Sequence, residues 1–383
     1  MSTDPRAGWE RSKPFWPRRS PAFTQVRHAV ASTVQQAYTE HGGIVVGLSG
    51  GADSLALVAA CCAELRSADD TDNSQYAPVH AVIIDHGLQS GSAGVAHTAA
   101  EQAQLWGAST RIVRVAVAED GAGPEAAARI ARHEALHAVA TNLRRPLLLA
   151  HTLDDQAETM LLRLARGGGP AALSGIRPIM RWENGVTVHR PLLALRRTQT
   201  LATCAELGVV PWHDPHNHDD SYARVRVRHS LLPVYEELLG PGVAENLAHT
   251  ADTVRDDNAA LDDFARRALP DATTPATDSE GQGSELVVGA VVKQPRAVRL
   301  RMYQQWIREH PDVGELGQSQ LCDIDAMATN YHGQGPVAVP QRSHFSSSSD
   351  AVSVGTSATE LQYRKNPRLV VARKGGTLAV LWI

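Results

Sequence analysis

Short apolar runs alternate with longer segments of helical period through the first half of the chain. Ile44–Leu48, Val79–Ile84, Arg111–Val117 and Leu147–Ala150 have the length and β-branched content of buried strands. Between and after them, Ser54–Arg66, Gly94–Trp106, Pro124–Leu143 and Asp155–Arg166 carry apolar residues at helical spacing, with Pro124 at a first-turn position that suits it. A further helix is expected over Ala22–Glu40. Strands alternating with helices of this length predict an open parallel sheet with helices on both faces.

The pattern changes after Val234. Pro241–Leu269 reads as a carboxylate-rich helix, Asp271–Ser284 as a polar linker, and Arg296–Glu309 and Ser319–Tyr331 as helices. The expected organisation is a disordered leader over 1–21, an α/β catalytic domain over 22–234 and a smaller, mainly helical domain over 235–340. Residues 341–383 follow as a Ser-rich loop ending in two short strands around Lys374-Gly375-Gly376, within Leu369–Ile383.

Charge narrows the function classes. With 37 basic and 41 acidic residues in 383, the net charge is −4, so any nucleic-acid grip has to be local. One such segment exists: Arg163 to Arg228 holds ten Arg and no Lys against five carboxylates. Its Arg163, Arg166, Arg190, Arg224, Arg226 and Arg228 are candidate phosphate contacts, the last three alternating so that an extended segment would present them on one face. The four cysteines include no C-x-x-C pair, which excludes a Cys-built zinc ribbon. His213, His216 and His218 lack a Cys partner, and a metal site there is not favoured. No apolar run approaches a membrane span and the N-terminus lacks a signal-peptide core, so a cytoplasmic setting is expected.

The strongest chemical signal is Ser49-Gly50-Gly51-Ala52-Asp53-Ser54, set between an apolar strand and a helix. Glycines allow a tight turn, and the helix start adds unpaired N–H groups and the positive end of its dipole, which together cradle an oxyanion. No Lys lies between Lys13 and Lys293, so this is not a Walker-type loop. Further on, Glu125, Arg129 and Arg132 share one helical face, Asp85 and His86 end the second strand, and His151 and Asp155 flank the turn after the fourth. Each has a structural alternative: Asp155 or Asp154 as a helix cap, Glu125 as a first-turn carboxylate, the arginines as solvated cations.

S-G-G-x-D-S after the first strand resembles the pyrophosphate loop of the N-type ATP pyrophosphatases, the PP-loop superfamily with its Rossmann-like sheet. Ile84-Asp85-His86-Gly87-Leu88, the E-x-x-A-R-x-x-R run from Glu125 to Arg132, and His151-Thr152-Leu153-Asp154-Asp155-Gln156-Ala157-Glu158-Thr159 narrow the resemblance to the tRNA(Ile)-lysidine synthetase family. Arg190-Pro191-Leu192-Leu193 and the run from Tyr222 to His229 extend it, with Val225 where Asn is common and Thr152 where a second His is frequent.

That resemblance implies a carbon–nitrogen ligase. ATP would adenylate C2 of the wobble cytidine in the isoleucine tRNA with a CAU anticodon, and free L-lysine would displace AMP. It assigns Ser49, Gly50, Gly51, Ala52, Asp53, Ser54 and Asp85 to ATP, and Asp53 also to Mg²⁺, a hard cation that takes oxygen ligands. Asp155 and His151 are candidates for orienting the base and handling protons, with Glu125, Arg129 and Arg132 around the reacting phosphate. A proton acceptor matters because only about one lysine amine in a few thousand is neutral at pH 7. A homodimer is among the expected assemblies. The alternatives are another PP-loop tRNA-modifying enzyme, of which a thiolase would be expected to show C-x-x-C pairs, and a non-catalytic RNA- or nucleotide-binding module.

Overall fold

The strand Ile44–Leu48 is apolar on both faces because both are covered. Ile44, Val46 and Leu48 pack on one side with Val79, Ala81 and Ile83, while Val45 faces the other with Val82, Leu147 and Val188. This two-sided burial is why the strands read as continuous apolar runs instead of alternating ones.

The structure is a computed structural model that describes residues 16–17, 19–66, 77–87, 91–115, 124–182, 184–215, 219–276, 283–342 and 368–383. In chain order its first elements are α1 (Pro21–His41), β1 (Ile44–Leu48), α2 (Ala52–Arg66), β2 (Val79–Asp85), α3 (Ser92–Leu105), β3 (Ser109–Arg114), α4 (Pro124–Leu143), β4 (Leu147–Leu148), α5 (Leu153–Ala165) and α6 (Pro170–Leu173). Then come β5 (Ile179–Arg181), β6 (Thr187–His189), α7 (Arg197–Glu206), α8 (Ala223–Arg226), α9 (Leu232–Leu239) and α10 (Val243–Ala268). The chain divides into two units, Met1–Arg255 and Asp256–Ile383.

In the first unit the sheet order is β3-β2-β1-β4-β6-β5. All neighbours are parallel except β5, which returns antiparallel on β6. Helices α1, α2 and α3 bury apolar residues on one face, and Leu136, Val139 and Ala140 of α4 cover the other. Helix α1 starts on Pro21 and stops where Gly42 adopts φ +68° and returns its N–H to the Tyr38 carbonyl. Strand order reverses direction between β1 and β4, which opens a crevice at the carboxyl ends of β1, β2 and β4.

The run Arg224–Arg228 is helical, not extended. Helix α8 continues through a π-helical turn, Val227–Leu231, into α9. Alternating Val and Arg read as a strand, but Val227 is buried against Leu153, Ala157 and Leu161 of α5. The helical phase then puts Arg224 and Arg228 on one face and Arg226 on another.

The second unit contains the expected helices, α12 (Arg296–Arg308) and α13 (Gln318–Thr329), with a short α11 (Val288–Val291). It also contains a five-stranded antiparallel sheet: β7 (Thr273–Pro275), β8 (Ser284–Val287), β9 (Val337–Ala338), β10 (Leu369–Lys374) and β11 (Thr377–Trp382), in the order β7-β8-β11-β10-β9. The stretch read as a polar linker therefore holds β7 and leads into β8, with 277–282 outside the described residues. The terminal strands join that same sheet instead of standing apart. Its core is built on Tyr303, Trp306, Met302, Ile324 and Met327. The Tyr303 hydroxyl and the Arg299 guanidinium both donate to the Asp325 carboxylate. Leader residues 1–15 and 18 and the Ser-rich 343–367 lie outside the described residues.

Candidate active site

The loop Ser49-Gly50-Gly51 leaves the end of β1, and α2 begins at Ala52. Gly50 has φ +83°, a left-handed conformation costing a side-chain-bearing residue about 1–2 kcal/mol, and its carbonyl accepts the Trp212 N–H at 3.0 Å. Two hydroxyls close the loop. Ser54 Oγ donates to the Gly51 carbonyl at 2.9 Å and accepts from the Ser49 N–H at 3.1 Å. Ser54 is thus committed to shaping the turn, whereas Ser49 stays exposed. The first bond into α2 runs from the Leu55 N–H to the Gly51 carbonyl, so the N–H groups of Ala52, Asp53 and Ser54 have no intrahelical acceptor and are available to an anion.

This loop forms one wall of a cavity of about 720 Å³ at the carboxyl ends of the parallel strands. Asp85 and His86 enter from β2, His151 from beyond β4, and Arg129, Arg132 and His133 from α4. Tyr222, Arg224, Val225 and Arg228 supply a further wall. The Asp85 carboxylate is held below its usual range by the Ser92 hydroxyl and the Gly87 N–H, the latter at 3.0 Å. Burial pulls His151 down to about 3 and, with Arg132 beside it, His133 to about 4. Both imidazoles are therefore neutral at physiological pH. Nδ1 of His151 and of His86 is buried without a hydrogen-bond partner, an arrangement that suits recognition of a polar ligand.

Behind the cavity lies a network of carboxylates and guanidiniums. Glu158, 0% exposed, accepts from Arg228 Nε at 2.6 Å, Arg224 Nε at 2.7 Å and Arg197 Nη1 at 3.2 Å. Asp155 divides its oxygens. Oδ2 accepts the Thr152 N–H at 2.8 Å as a capping box, while Oδ1 takes Arg197 at 2.9 Å and Arg224 at 3.1 Å. Burial alone would raise its pKa, but Arg197 and Arg224 overcome that and hold it near 2. Asp53 shows the opposite balance: burial raises it despite the nearby Arg197 and Thr200. Asp154 accepts the backbone N–H of Arg197 at 2.6 Å, capping α7 instead of its own helix.

Several sequence expectations change here. Asp155 and His151 do line up at the turn, but a carboxylate near 2 and an imidazole near 3 are weak proton acceptors at neutral pH. Arg224 and Arg228 line the cavity and pair with Glu158 instead of following one another along an extended segment. Arg226 donates to the carbonyls of Asp220 and Ser221. Arg163 ties the carbonyls of Ala172 and Gly175, and the buried Arg190 donates to that of Arg177. Arg166, Arg177 and Arg181 are exposed. The side chain of Glu125, along with Leu88, His216 and His218, lies outside the described residues. Among the described residues no group of three His, Cys, Asp or Glu side chains is placed to hold a metal.

Arg197 and His133 were not singled out from the sequence, and Glu158, though inside the His151–Thr159 motif, was given no role of its own. Glu158 had a signal: it lies three residues after Asp155, so the two carboxylates share a helical face. Arg197 had none, because its partner Asp53 is 144 residues away.

Comparison with known proteins agrees with this geometry. The PP-loop domain family matches residues 23–235. The chain is 42% identical over 322 residues to the tRNA(Ile)-lysidine synthase of Rhodococcus erythropolis, covering 84% of this chain and 90% of that one. It is 44% identical over 298 residues to the enzyme of the same name from Leifsonia xyli subsp. xyli, covering 78% and 85%. The Mycobacterium tuberculosis counterpart is 44% identical over 296 residues, covering 77% and 83%. Among solved structures, the U34-tRNA thiolase NcsA from Methanococcus maripaludis with its [4Fe-4S] cluster aligns with a TM-score of 0.50 at 17% identity, over 61% of this chain and 79% of that one, a likeness of fold.

Proposed function

The chain belongs to the tRNA(Ile)-lysidine synthase family, and from that premise we propose how its cavity divides the labour of an ATP-dependent tRNA-modifying ligase. The observation that carries the assignment is the Ser49–Ser54 loop opening on a cavity that Arg129, Arg132, Arg224 and Arg228 also line. Helix-start N–H groups on one wall and guanidiniums on the others suit a nucleotide split between its α- and β-phosphates.

In this reading the loop and the first turn of α2 hold the pyrophosphate end of ATP. The C2 oxygen of the wobble cytidine attacks the α-phosphorus and pyrophosphate leaves. Free L-lysine then attacks C2, AMP departs, and the amine gives up its proton. Arg224 and Arg228 are aimed at the cavity by Glu158 and Asp155, and with Arg129 and Arg132 they offset charge that develops on the α-phosphate and on departing AMP. His151 and His86, neutral and unpartnered at Nδ1, orient the base by hydrogen bonding. Asp155 acts through the arginines it positions and not as the proton acceptor.

Asp53 is the residue we propose for Mg²⁺. Its carboxylate is a hard oxygen donor at the phosphate loop, and Mg²⁺ in phosphoryl-transfer sites commonly takes one or two carboxylates plus the phosphates themselves. The ion would screen phosphate charge when bound. No helix among the described residues is long and apolar enough to cross a membrane. The reading sets the enzyme beside its tRNA in the cytoplasm, with a homodimer as the assembly to check by sedimentation. The test of function is transfer of labelled L-lysine to an isoleucine tRNA transcript with a CAU anticodon. Labelling of that transcript and not of one with UAU is expected; equal or absent labelling refutes the assignment.

A further inference from the structure

Arg197 opens α7 and reaches three carboxylates from two separate motifs. Its Nε lies 3.4 Å from Asp53 Oδ2, its Nη2 2.9 Å from Asp155 Oδ1, and its Nη1 3.2 Å from Glu158 Oε1. One turn further on, the Thr200 hydroxyl donates to Asp53 Oδ1. Both oxygens of Asp53 are therefore engaged, one by a cation and one by a hydroxyl. The guanidinium cannot drift away, because Asp154 fixes its backbone N–H at 2.6 Å and the other two carboxylates hold its remaining nitrogens. The bond to Asp53 is the longest of the three and the most easily given up.

A divalent cation arriving at Asp53 meets a positive charge already in place. It has to compete with that charge for an oxygen and bear its repulsion, whereas Asp155 and Glu158 keep the guanidinium when Asp53 is released. Resting on the assignment of Asp53 to Mg²⁺, we propose that Arg197 is a positioning residue. It is the resident counter-ion that orients Asp53 before nucleotide binds, and it sets the Mg²⁺ concentration at which the nucleotide loads. Thr200 serves the same carboxylate from its other side.

The test is calorimetric binding of α,β-methylene-ATP, which cannot be split at the α–β bridge, to the full chain at a series of Mg²⁺ concentrations. In Arg197→Gln the Mg²⁺ midpoint should fall about fivefold or more, because even an exposed ion pair reaches about 1 kcal/mol, or roughly fivefold, and this one is partly shielded. Arg197→Lys, which keeps the charge, should stay near the wild type. Thr200→Val is isosteric and leaves the guanidinium in place, so it should shift the midpoint in the same direction by a smaller factor. A lower melting temperature with an unchanged midpoint in Arg197→Gln would assign Arg197 to packing and overturn the proposal. Should that variant not fold, Thr200→Val decides alone: a lowered midpoint supports the proposal and an unchanged one overturns it. If the wild-type chain binds no analogue at any Mg²⁺ concentration, the assignment of the loop to ATP fails instead, and the two failures are distinct.

Discussion

Glu158→Gln removes one negative charge and almost no volume from the centre of the arginine network. Glu158 is 0% exposed, and the guanidiniums of Arg228, Arg224 and Arg197 approach it within 3.2 Å. After the change Arg197 keeps Asp155 at 2.9 Å and Arg224 keeps it at 3.1 Å, but Arg228 is left with Asp155 at 3.7 Å. Removing one partner from a buried ion pair costs about 3–5 kcal/mol. The lower end, about 3 kcal/mol, is expected here because the three arginine side chains are 21–31% exposed and Gln retains a carbonyl acceptor. Hydrogen exchange of the α5 amides against urea measures this locally, which suits a chain of two units, because chains of more than one unit commonly depart from a single two-state transition. Adding Arg228→Met should recover part of the loss, giving a combined cost below the sum of the singles. A loss under about 1 kcal/mol, or strict additivity, would show that the network does not hold α5 and α8 together.

Two further outcomes follow from the charges. His151 is neutral in the fold and titrates near 3, against 6.5 when unfolded, so its contribution is complete above pH 6.5 and is lost as pH falls toward 3. Between pH 8 and pH 5 that loss is about 2 kcal/mol; His151→Gln should flatten this part of the pH–stability curve, and an unchanged curve would contradict the burial argument. The exposed Arg166, expected from the sequence, and its neighbours Arg177 and Arg181 are predicted tRNA backbone contacts. Their triple Ala variant should reduce the slope of log affinity against log salt by about 2–3, and an unaltered slope would remove them from the tRNA interface.

The parallel sheet was legible because burial on both faces writes an uninterrupted apolar run, as at Ile44–Leu48. The phosphate loop was legible for a related reason: strand, glycines, hydroxyls and helix are consecutive in the chain. What surrounds the loop was not. Glu158 meets Arg197, Arg224 and Arg228 across 39, 66 and 70 residues, and no spacing rule spans such distances. Arg224, Arg226 and Arg228 misled through their own period of two, because burial of Val227 and the pull of Glu158 fixed a helical phase that local pattern does not record. The strand Thr273–Pro275 escaped for a different reason: it is short, polar and half-exposed, so its pairing to Leu286 and Glu285 is set by its partner strand and not by its composition.

In the proposed reaction the cavity joins the α-phosphate of ATP to a tRNA base before lysine enters. ATP labelled at the α-phosphate, incubated with the chain and CAU-anticodon isoleucine tRNA without lysine, tests this most directly. The label should move onto the tRNA as an adenylate while pyrophosphate is released, and adding L-lysine should return all of it as AMP. Release of ADP and inorganic phosphate, or a label that never enters the tRNA, would rule out adenylation of the base as the first step.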